Sequence, residues 1–102
     1  MIDFFEMNAN NLKLVVFKSF LGAIANNVRA VAFDFNDETI FIYGYLDVEP
    51  KDEDYEIIDI AVTEIMAAYP QFLKQKIYLE KSEKPIGKLL SYKGWVFCRY
   101  EE

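Results

Sequence analysis

The sequence predicts an α+β fold: an antiparallel sheet of about four strands, with two helices on one face. Two segments repeat apolar residues at helical spacing, and four shorter ones repeat them at strand spacing, in the order α-β-β-α-β-β. No internal repeat or Gly/Ser-rich linker divides the 102 residues, of which 53% are apolar. We therefore expect a single domain over residues 1–102, built around one core.

The first helix is predicted to begin at Asn10 or Asn11, either of which is a suitable N-cap. Small and apolar side chains then recur along one helical face: Leu12, Val15, Val16, Ser19, Phe20, Ala23 and Ile24. Three further apolar residues widen this face: Leu14, Phe17 and Leu21. Little of the helix is therefore expected to meet water, and the Asn26-Asn27 pair is expected to end it.

The residues ahead of this helix allow a second topology. If Ile2 to Glu6 pair as an extra strand, the fold becomes a ferredoxin-like β-α-β-β-α-β core. The strand order is left open by the sequence in both cases.

Two strands joined by a short turn are predicted to form a hairpin. Val31, Phe33 and Phe35 alternate with Ala32 and Asp34 in the first strand, and Asn36-Asp37-Glu38 has turn chemistry. The second strand is apolar on both faces, with Ile40, Ile42, Gly44 and Leu46 expected to meet the helices. We call the opposite set, Phe41, Tyr43 and Tyr45, the aromatic face. Three covers for it are open: the Ser82–Gly94 loop, a second copy of the chain, or a partner protein.

The second helix is predicted over Asp52–Tyr69, and Pro70 stops it. Its expected buried stripe is Ile57, Ile58, Ala61, Ile65, Ala68 and Tyr69. A third strand contains Ile77 and Leu79, and a fourth runs from Trp95 to Tyr100 after the long Ser82–Gly94 loop. In the fourth strand, Trp95 is expected to be largely buried and Cys98 to be a buried, inert thiol.

Composition argues against most catalytic and metal-binding chemistry. The chain has no histidine, one cysteine and four scattered glycines, so the usual general base, a zinc site and a phosphate-binding loop are all missing. An EF-hand loop starting at Asp52 would place Ile57 where glycine is required. We expect no enzymatic activity, no cofactor and no metal site.

Two features bear on location and on nucleic acid. No apolar run approaches the roughly 18 residues of a membrane span, and the N-terminal MIDFFEM is acidic where a secretory signal is basic. We therefore expect a cytoplasmic protein without membrane contact. The net charge of −6 argues against direct binding of DNA or RNA, which depends on lysine and arginine.

The net charge is concentrated in one segment, Asp47–Asp59, with the sequence DVEPKDEDYEIID. It holds seven of the 17 acidic residues and one of the 11 basic residues, so the rest of the chain is balanced. Acidic residues stabilise the first turn of a helix, so a plain solvated face is one interpretation. Asp52, Glu56 and Asp59 nevertheless repeat along the solvent face without intervening lysines, although like charges at this spacing repel.

This excess of acid favours an interaction surface. Its expected partner-binding residues are Asp47, Glu49, Asp52, Glu53, Glu56 and Asp59, with Phe41, Tyr43 and Tyr45 as aromatic anchors. A concentrated negative surface attracts a basic cleft, such as the one in which a nuclease holds phosphate.

The chain resembles the small immunity proteins of bacterial polymorphic-toxin systems, including contact-dependent growth inhibition. The likeness lies in its size, its two-helix α+β pattern, the acidic segment DVEPKDEDYEIID and the closing strand KGWVFCRYEE. The resemblance implies a protein that binds and neutralises one cognate toxin, for which the acidic segment favours a nuclease. The alternative is a non-catalytic regulatory or interaction module that forms a homodimer through its two-sided sheet.

Overall fold

The computed structural model describes the backbone of residues 4–101 and the side chains of residues 12–101. Its elements are α1 (Phe4–Ser19), β1 (Val28–Phe35), β2 (Thr39–Leu46), α2 (Asp52–Ala68), β3 (Lys74–Lys81) and β4 (Gly94–Cys98), with a 3₁₀ turn at Ile86–Lys88. The α+β class and the α-β-β-α-β-β order are confirmed. Neither helix in this part of the chain has the length and apolar character needed to cross a bilayer.

The sheet is mixed, with the strand order β3-β2-β1-β4. β1 pairs antiparallel with β2 and with β4, whereas β2 and β3 run parallel, with Thr39 beside Lys74 and Leu46 beside Lys81. The prediction of a purely antiparallel sheet is therefore wrong at β3. The reason is α2, whose 17 residues span about 25 Å and return the chain to the end of the sheet where β2 began.

The predicted hairpin is confirmed, and Asn36 holds its turn. The side-chain Oδ1 of Asn36 accepts hydrogen bonds from the backbone N–H groups of Glu38 and Thr39, at 3.0 and 2.8 Å. This is the side-chain turn for which asparagine is favoured.

Both predicted ends of the first helix are wrong. α1 begins at Phe4 rather than at Asn10 or Asn11, and it ends at Ser19 instead of reaching the Asn26-Asn27 pair. Gly22 explains the early end, because its φ of +83° is a left-handed conformation that terminates helices and that glycine adopts without strain.

The ferredoxin-like alternative is wrong for Phe4–Glu6, because these residues are helical. Ile2 and Asp3, the other part of the proposed extra strand, lie outside the described residues.

The core lies between the two helices and one face of the sheet. Its largest fully buried side chains are Leu12, Val16, Phe20, Val31, Ile40, Ile42, Leu46, Val62 and Ile65. Burying each large apolar side chain is favourable by about 1.5–3 kcal/mol, which makes this layer the main source of stability.

The helices bury narrower stripes than the sequence predicts. Leu14, Phe17 and Leu21 are 61%, 54% and 67% exposed, so the expectation that α1 meets little water is wrong. In α2, Ile57 and Ala68 are exposed, although Ile58, Ala61, Ile65 and Tyr69 are buried as predicted. Each helix packs against the sheet along one stripe, and the outer apolar residues find no cover among residues 12–101.

Two expectations for β4 are also corrected. Trp95 is only partly buried, and Cys98 is exposed. Both results follow from the position of β4 at an edge of the sheet, where one side of the strand has no neighbouring strand in the described chain.

Candidate functional site

The acidic segment begins directly after β2 and covers the following loop and the first half of α2. Asp54 is the residue that sets this geometry. Its Oδ2 accepts a hydrogen bond of 2.8 Å from the backbone N–H of Lys51, and its Oδ1 accepts one of 3.0 Å from the side-chain amide of Asn27. The first bond caps the helix, and the second ties it to the residue before β1, which is why Asp54 is buried.

Two other carboxylates of the segment are also used within the fold. Asp47 forms an ion pair with Arg99, with 2.8 Å between Oδ2 and Nη1. Asp59 accepts a hydrogen bond from the side chain of Gln75 in β3. These acids stabilise the packing of neighbouring elements, although the sequence grouped them with the partner-binding residues.

Four carboxylates remain and form what we call the acidic surface: Glu49, Asp52, Glu53 and Glu56. All four are exposed. Among residues 12–101, none of them takes part in an ion pair or a side-chain hydrogen bond. Their charge is therefore not neutralised by the described part of the fold, and it faces the solvent at the N-terminal end of α2.

A charge network that sequence reasoning missed lies next to this segment. Arg29 is buried and donates to Glu101 through Nε (2.9 Å) and Nη2 (2.6 Å), and through Nη1 to the carbonyl of Ser82 (2.8 Å). Arg99 donates to the same Glu101 carboxylate and to Asp47. The network fixes residues 99–101 against the start of β1 and the end of β2.

The two arginines also control the ionisation of Glu101. Hydrogen bonds from Arg29 and Arg99 lower the pKa of Glu101 to about 2, and the bond from Arg29 has the larger effect. No sequence signal could have found this pair, because its partners are 72 positions apart.

The aromatic face is covered largely by the loop between β3 and β4. Tyr45 is buried, donates its hydroxyl to the carbonyl of Leu90 at 2.9 Å, and meets the ring of Trp95 edge-on at 6.0 Å. Burial raises the pKa of Tyr45 to about 12, so its hydroxyl stays protonated. Phe41 is half-buried. Of the three possible covers that the sequence left open, the Ser82–Gly94 loop is the one that covers Tyr45.

Tyr43 lies in a stack of three tyrosine rings. Its ring centroid is 3.7 Å from that of Tyr92 and 5.3 Å from that of Tyr78, with nearly parallel planes in both cases. Tyr78 and Tyr92 are 48% and 44% exposed. The stack therefore presents aromatic surface to solvent, and sequence analysis had not assigned Tyr78 or Tyr92 to the site.

Tyr92 holds its place in the stack at a conformational cost. Its φ of +51° is left-handed, a region that costs a residue with a side chain about 1–2 kcal/mol. Stacking on Tyr43 offsets part of this cost.

The described residues offer little for catalysis. In this part of the chain, no three acidic or cysteine side chains are close enough to hold a metal ion. Partial burial of the Cys98 sulfur raises the pKa of this otherwise exposed thiol, which disfavours its reactive thiolate form. What the geometry presents is charge and aromatic surface.

Comparison with protein-family models identifies one family. The model described as "MafI2 immunity protein" matches residues 9–101, which is most of the chain and includes the acidic surface, the aromatic face and the Arg29–Glu101 network. Comparison with curated proteins gives no significant match.

Proposed function

Since the chain belongs to the MafI2 immunity protein family, and its function is therefore immunity against a toxin, we propose that the toxin is a nuclease and that the acidic surface occludes its basic substrate site. The observation that carries the proposal is the set of four exposed carboxylates, Glu49, Asp52, Glu53 and Glu56, without partners in the described chain. A nuclease must hold phosphate in a basic cleft, and such a cleft supplies the missing positive charge.

The proposed mechanism is occlusion without chemistry of its own. Carboxylates at the start of α2 would take the place of substrate phosphates, and the concentrated negative field would speed the encounter with the toxin. The site of action is the cytoplasm, where nucleic acid has to be protected.

The aromatic face contributes to the proposal through its accessible part. Tyr45 is buried under the loop between β3 and β4. Tyr43 is stacked between the exposed rings of Tyr78 and Tyr92. Tyrosine side chains are frequent energetic anchors of protein interfaces. We therefore assign Tyr78 and Tyr92, together with Tyr43, to the toxin contact.

The test first seeks a large reading frame beside the gene for this chain, and takes its C-terminal domain as the candidate toxin. Expressed alone, that domain should arrest growth, and coexpression with this chain should restore it. The purified pair should form a stable complex. Growth arrest that persists despite abundant folded immunity protein, with no complex detected, would contradict the proposal.

The nuclease assignment has a separate readout. The isolated toxin domain should cleave DNA or RNA, and one equivalent of this chain should stop the cleavage. If the domain forms the complex but has a different activity, such as membrane permeabilisation, immunity stands and the nuclease assignment is wrong.

A further inference from the structure

Three lysines meet at one cavity, at the end of β3 and in the loop that follows it. The cavity, which we call the lysine cavity, has a volume of about 210 Å³, and its wall includes Lys81, Ser82, Lys84, Lys88, Leu90 and Tyr92. Glu80 lines it as well, so the wall carries three positive charges against one negative charge. The lysine cavity is therefore a positive site in a chain whose net charge is −6.

The positive charge of the lysine cavity is not neutralised by the described part of the fold. Lys81, Lys84 and Lys88 are all exposed. Among residues 12–101, none of the three forms an ion pair, whereas Lys74 and Lys93 are both paired with carboxylates. Because like charges repel, grouping three lysines around one cavity is unfavourable until an anionic group joins them.

The loop that carries Lys84 and Lys88 is held in place by hydrogen bonds. The hydroxyl of Tyr45 donates to the carbonyl of Leu90 at 2.9 Å, and the backbone N–H of Lys88 donates to the carbonyl of Pro85 at 2.8 Å. The backbone behind the lysines is thus already ordered. A partner that binds there avoids much of the entropic cost of ordering a loop.

Two large side chains of the same loop point outward beside the lysines. Leu90 is 65% exposed and Tyr92 is 44% exposed. The left-handed backbone of Tyr92 is of the costly kind that clusters at functional sites. A volume of about 210 Å³ lies below the roughly 300–1,000 Å³ of pockets that enclose a drug-sized ligand. The cavity and its apolar neighbours therefore suit side chains of a docked protein better than a small molecule.

The lysine cavity and the acidic segment begin at the same end of the sheet. Lys81 pairs with Leu46 in the parallel β2–β3 ladder, and the backbone N–H of Ser82 donates to the carbonyl of Leu46 at 2.9 Å. The acidic segment starts at Asp47, the next residue after Leu46. One partner can therefore meet surfaces of both signs at this end of the molecule.

Nucleic acid is a poor occupant of the lysine cavity. Its affinity depends on many phosphate contacts from lysine and arginine, and a strand that extends past three lysines would approach the carboxylates of the acidic segment. A single protein segment with a few carboxylates avoids this repulsion. Its acidic groups can match the lysines while its apolar side chains contact Leu90 and Tyr92.

We propose that the lysine cavity binds an acidic segment of the toxin, whose carboxylates pair with Lys81, Lys84 and Lys88. This inference rests on the proposed function, since it assigns the segment to the toxin. The acidic surface would then contact the basic cleft while the lysine cavity contacts an acidic segment outside the cleft. Complementary charges of both signs fix the orientation of a complex and exclude wrong partners. The lysine cavity is thus a specificity determinant for the cognate toxin.

The first experiment compares two charge-reversing pairs of substitutions. Lys84→Glu/Lys88→Glu reverses the lysine cavity, whereas Lys13→Glu/Lys18→Glu reverses two lysines of α1 that are also exposed and outside every ion pair among residues 12–101. Each substitution changes the charge by two, so both pairs move the net charge from −6 to −10. The cavity pair should raise the dissociation constant of the toxin complex about tenfold or more, and the control pair less than about threefold. Thermal midpoints of both free variants should stay near that of the unchanged protein.

The second experiment identifies the groups that meet the lysines. A carbodiimide joins a lysine amine to a carboxylate in direct contact with it, so treatment of the unchanged complex should link Lys81, Lys84 or Lys88 to an acidic residue of the toxin domain. Mass spectrometry locates the link. Changing the linked toxin residues to lysine should then restore binding to the Lys84→Glu/Lys88→Glu variant. Links to the toxin from Lys13 or Lys18 alone would overturn the inference.

The outcomes separate this inference from the proposed function. A complex whose dissociation constant is unchanged by Lys84→Glu/Lys88→Glu overturns the role of the lysine cavity while immunity stands. If the unchanged protein neither binds nor neutralises the toxin domain, the proposed function fails and this inference fails with it. Binding of a single-stranded oligonucleotide that only the cavity pair abolishes, with the toxin complex intact, would assign the cavity to nucleic acid instead. A free protein that sediments as a dimer, and as a monomer only after the cavity pair is introduced, would assign it to a second copy.

Discussion

Reversing charge on the acidic surface should slow toxin association without unfolding the protein. Asp52→Lys/Glu56→Lys is the most direct test of this charge, because both side chains are exposed and neither bonds to another described residue. Asp54 and Asp59 are left intact, since one caps α2 and the other accepts from Gln75. Each reversal adds two charges, so the net charge moves from −6 to −2.

The cost to folding follows from the position of each residue. Asp52 lies in the first turn of α2, where a negative charge is stabilising by about 0.3–1 kcal/mol and a lysine is unfavourable by a similar amount. The repulsion between positions 52 and 56 is unchanged, because both become positive. We therefore expect the free energy of unfolding to fall by about 1–2 kcal/mol at most, which leaves the protein folded.

The effect on association should be larger. Electrostatic steering raises association rates by about 10–10³, and this double change reverses half of the acidic surface. Stopped-flow association at low salt should therefore slow about tenfold or more, and the rate should depend less steeply on salt.

The matched control is Asp37→Lys/Glu64→Lys, which changes two exposed acids in the hairpin turn and later in α2 by the same total charge. If the two variants slow association equally, net charge rather than the acidic surface steers the toxin. If neither variant slows it, the carboxylates at the start of α2 are only solvated.

Three further predictions concern the groups around the site. Because the pKa of Glu101 is about 2 in the folded protein, against an ordinary 4.5, its ion pairs stabilise the fold above about pH 4.5 and are lost as the pH falls toward 2. Thermal melts should show this loss, and Glu101→Gln should flatten it; an unchanged profile would mean that other groups control acid unfolding. Asp54→Ala should cost about 1 kcal/mol in urea denaturation through loss of the helix cap, whereas Glu53→Ala should cost less than about 0.5. Equal costs would show that the cap is unimportant. Tyr45→Phe should cost about 0.5–1.5 kcal/mol and speed amide exchange around Leu90, unless ring stacking alone holds the loop.

The site was only partly predictable from sequence. The acidic segment could be recognised because a local excess of charge is visible in thirteen consecutive residues, and its role in binding stays a prediction. Which carboxylates remain available was decided by residues far away in sequence: Asn27, Gln75 and Arg99 each engage one acid. Local rules for helices say nothing about such partners.

The aromatic face was also only partly predictable from sequence. Alternation correctly placed Tyr43 and Tyr45 opposite the Ile40–Leu46 set, because strand period alone determines the face of a side chain. The cover over that face comes from Leu90 and Tyr92, in a loop without periodicity.

By itself the sequence determined the element types, the hairpin and the extent of α2, because periodicity, turn residues and a helix-stopping proline act over a few neighbouring positions. It determined the concentration of acid as well. The tertiary structure alone decided that β3 lies parallel to β2, that Leu14 and Phe17 remain exposed, and that β4 becomes an uncharged edge. These outcomes depend on which strands and helices meet, and that is settled by the joint burial of the whole core rather than by any single segment.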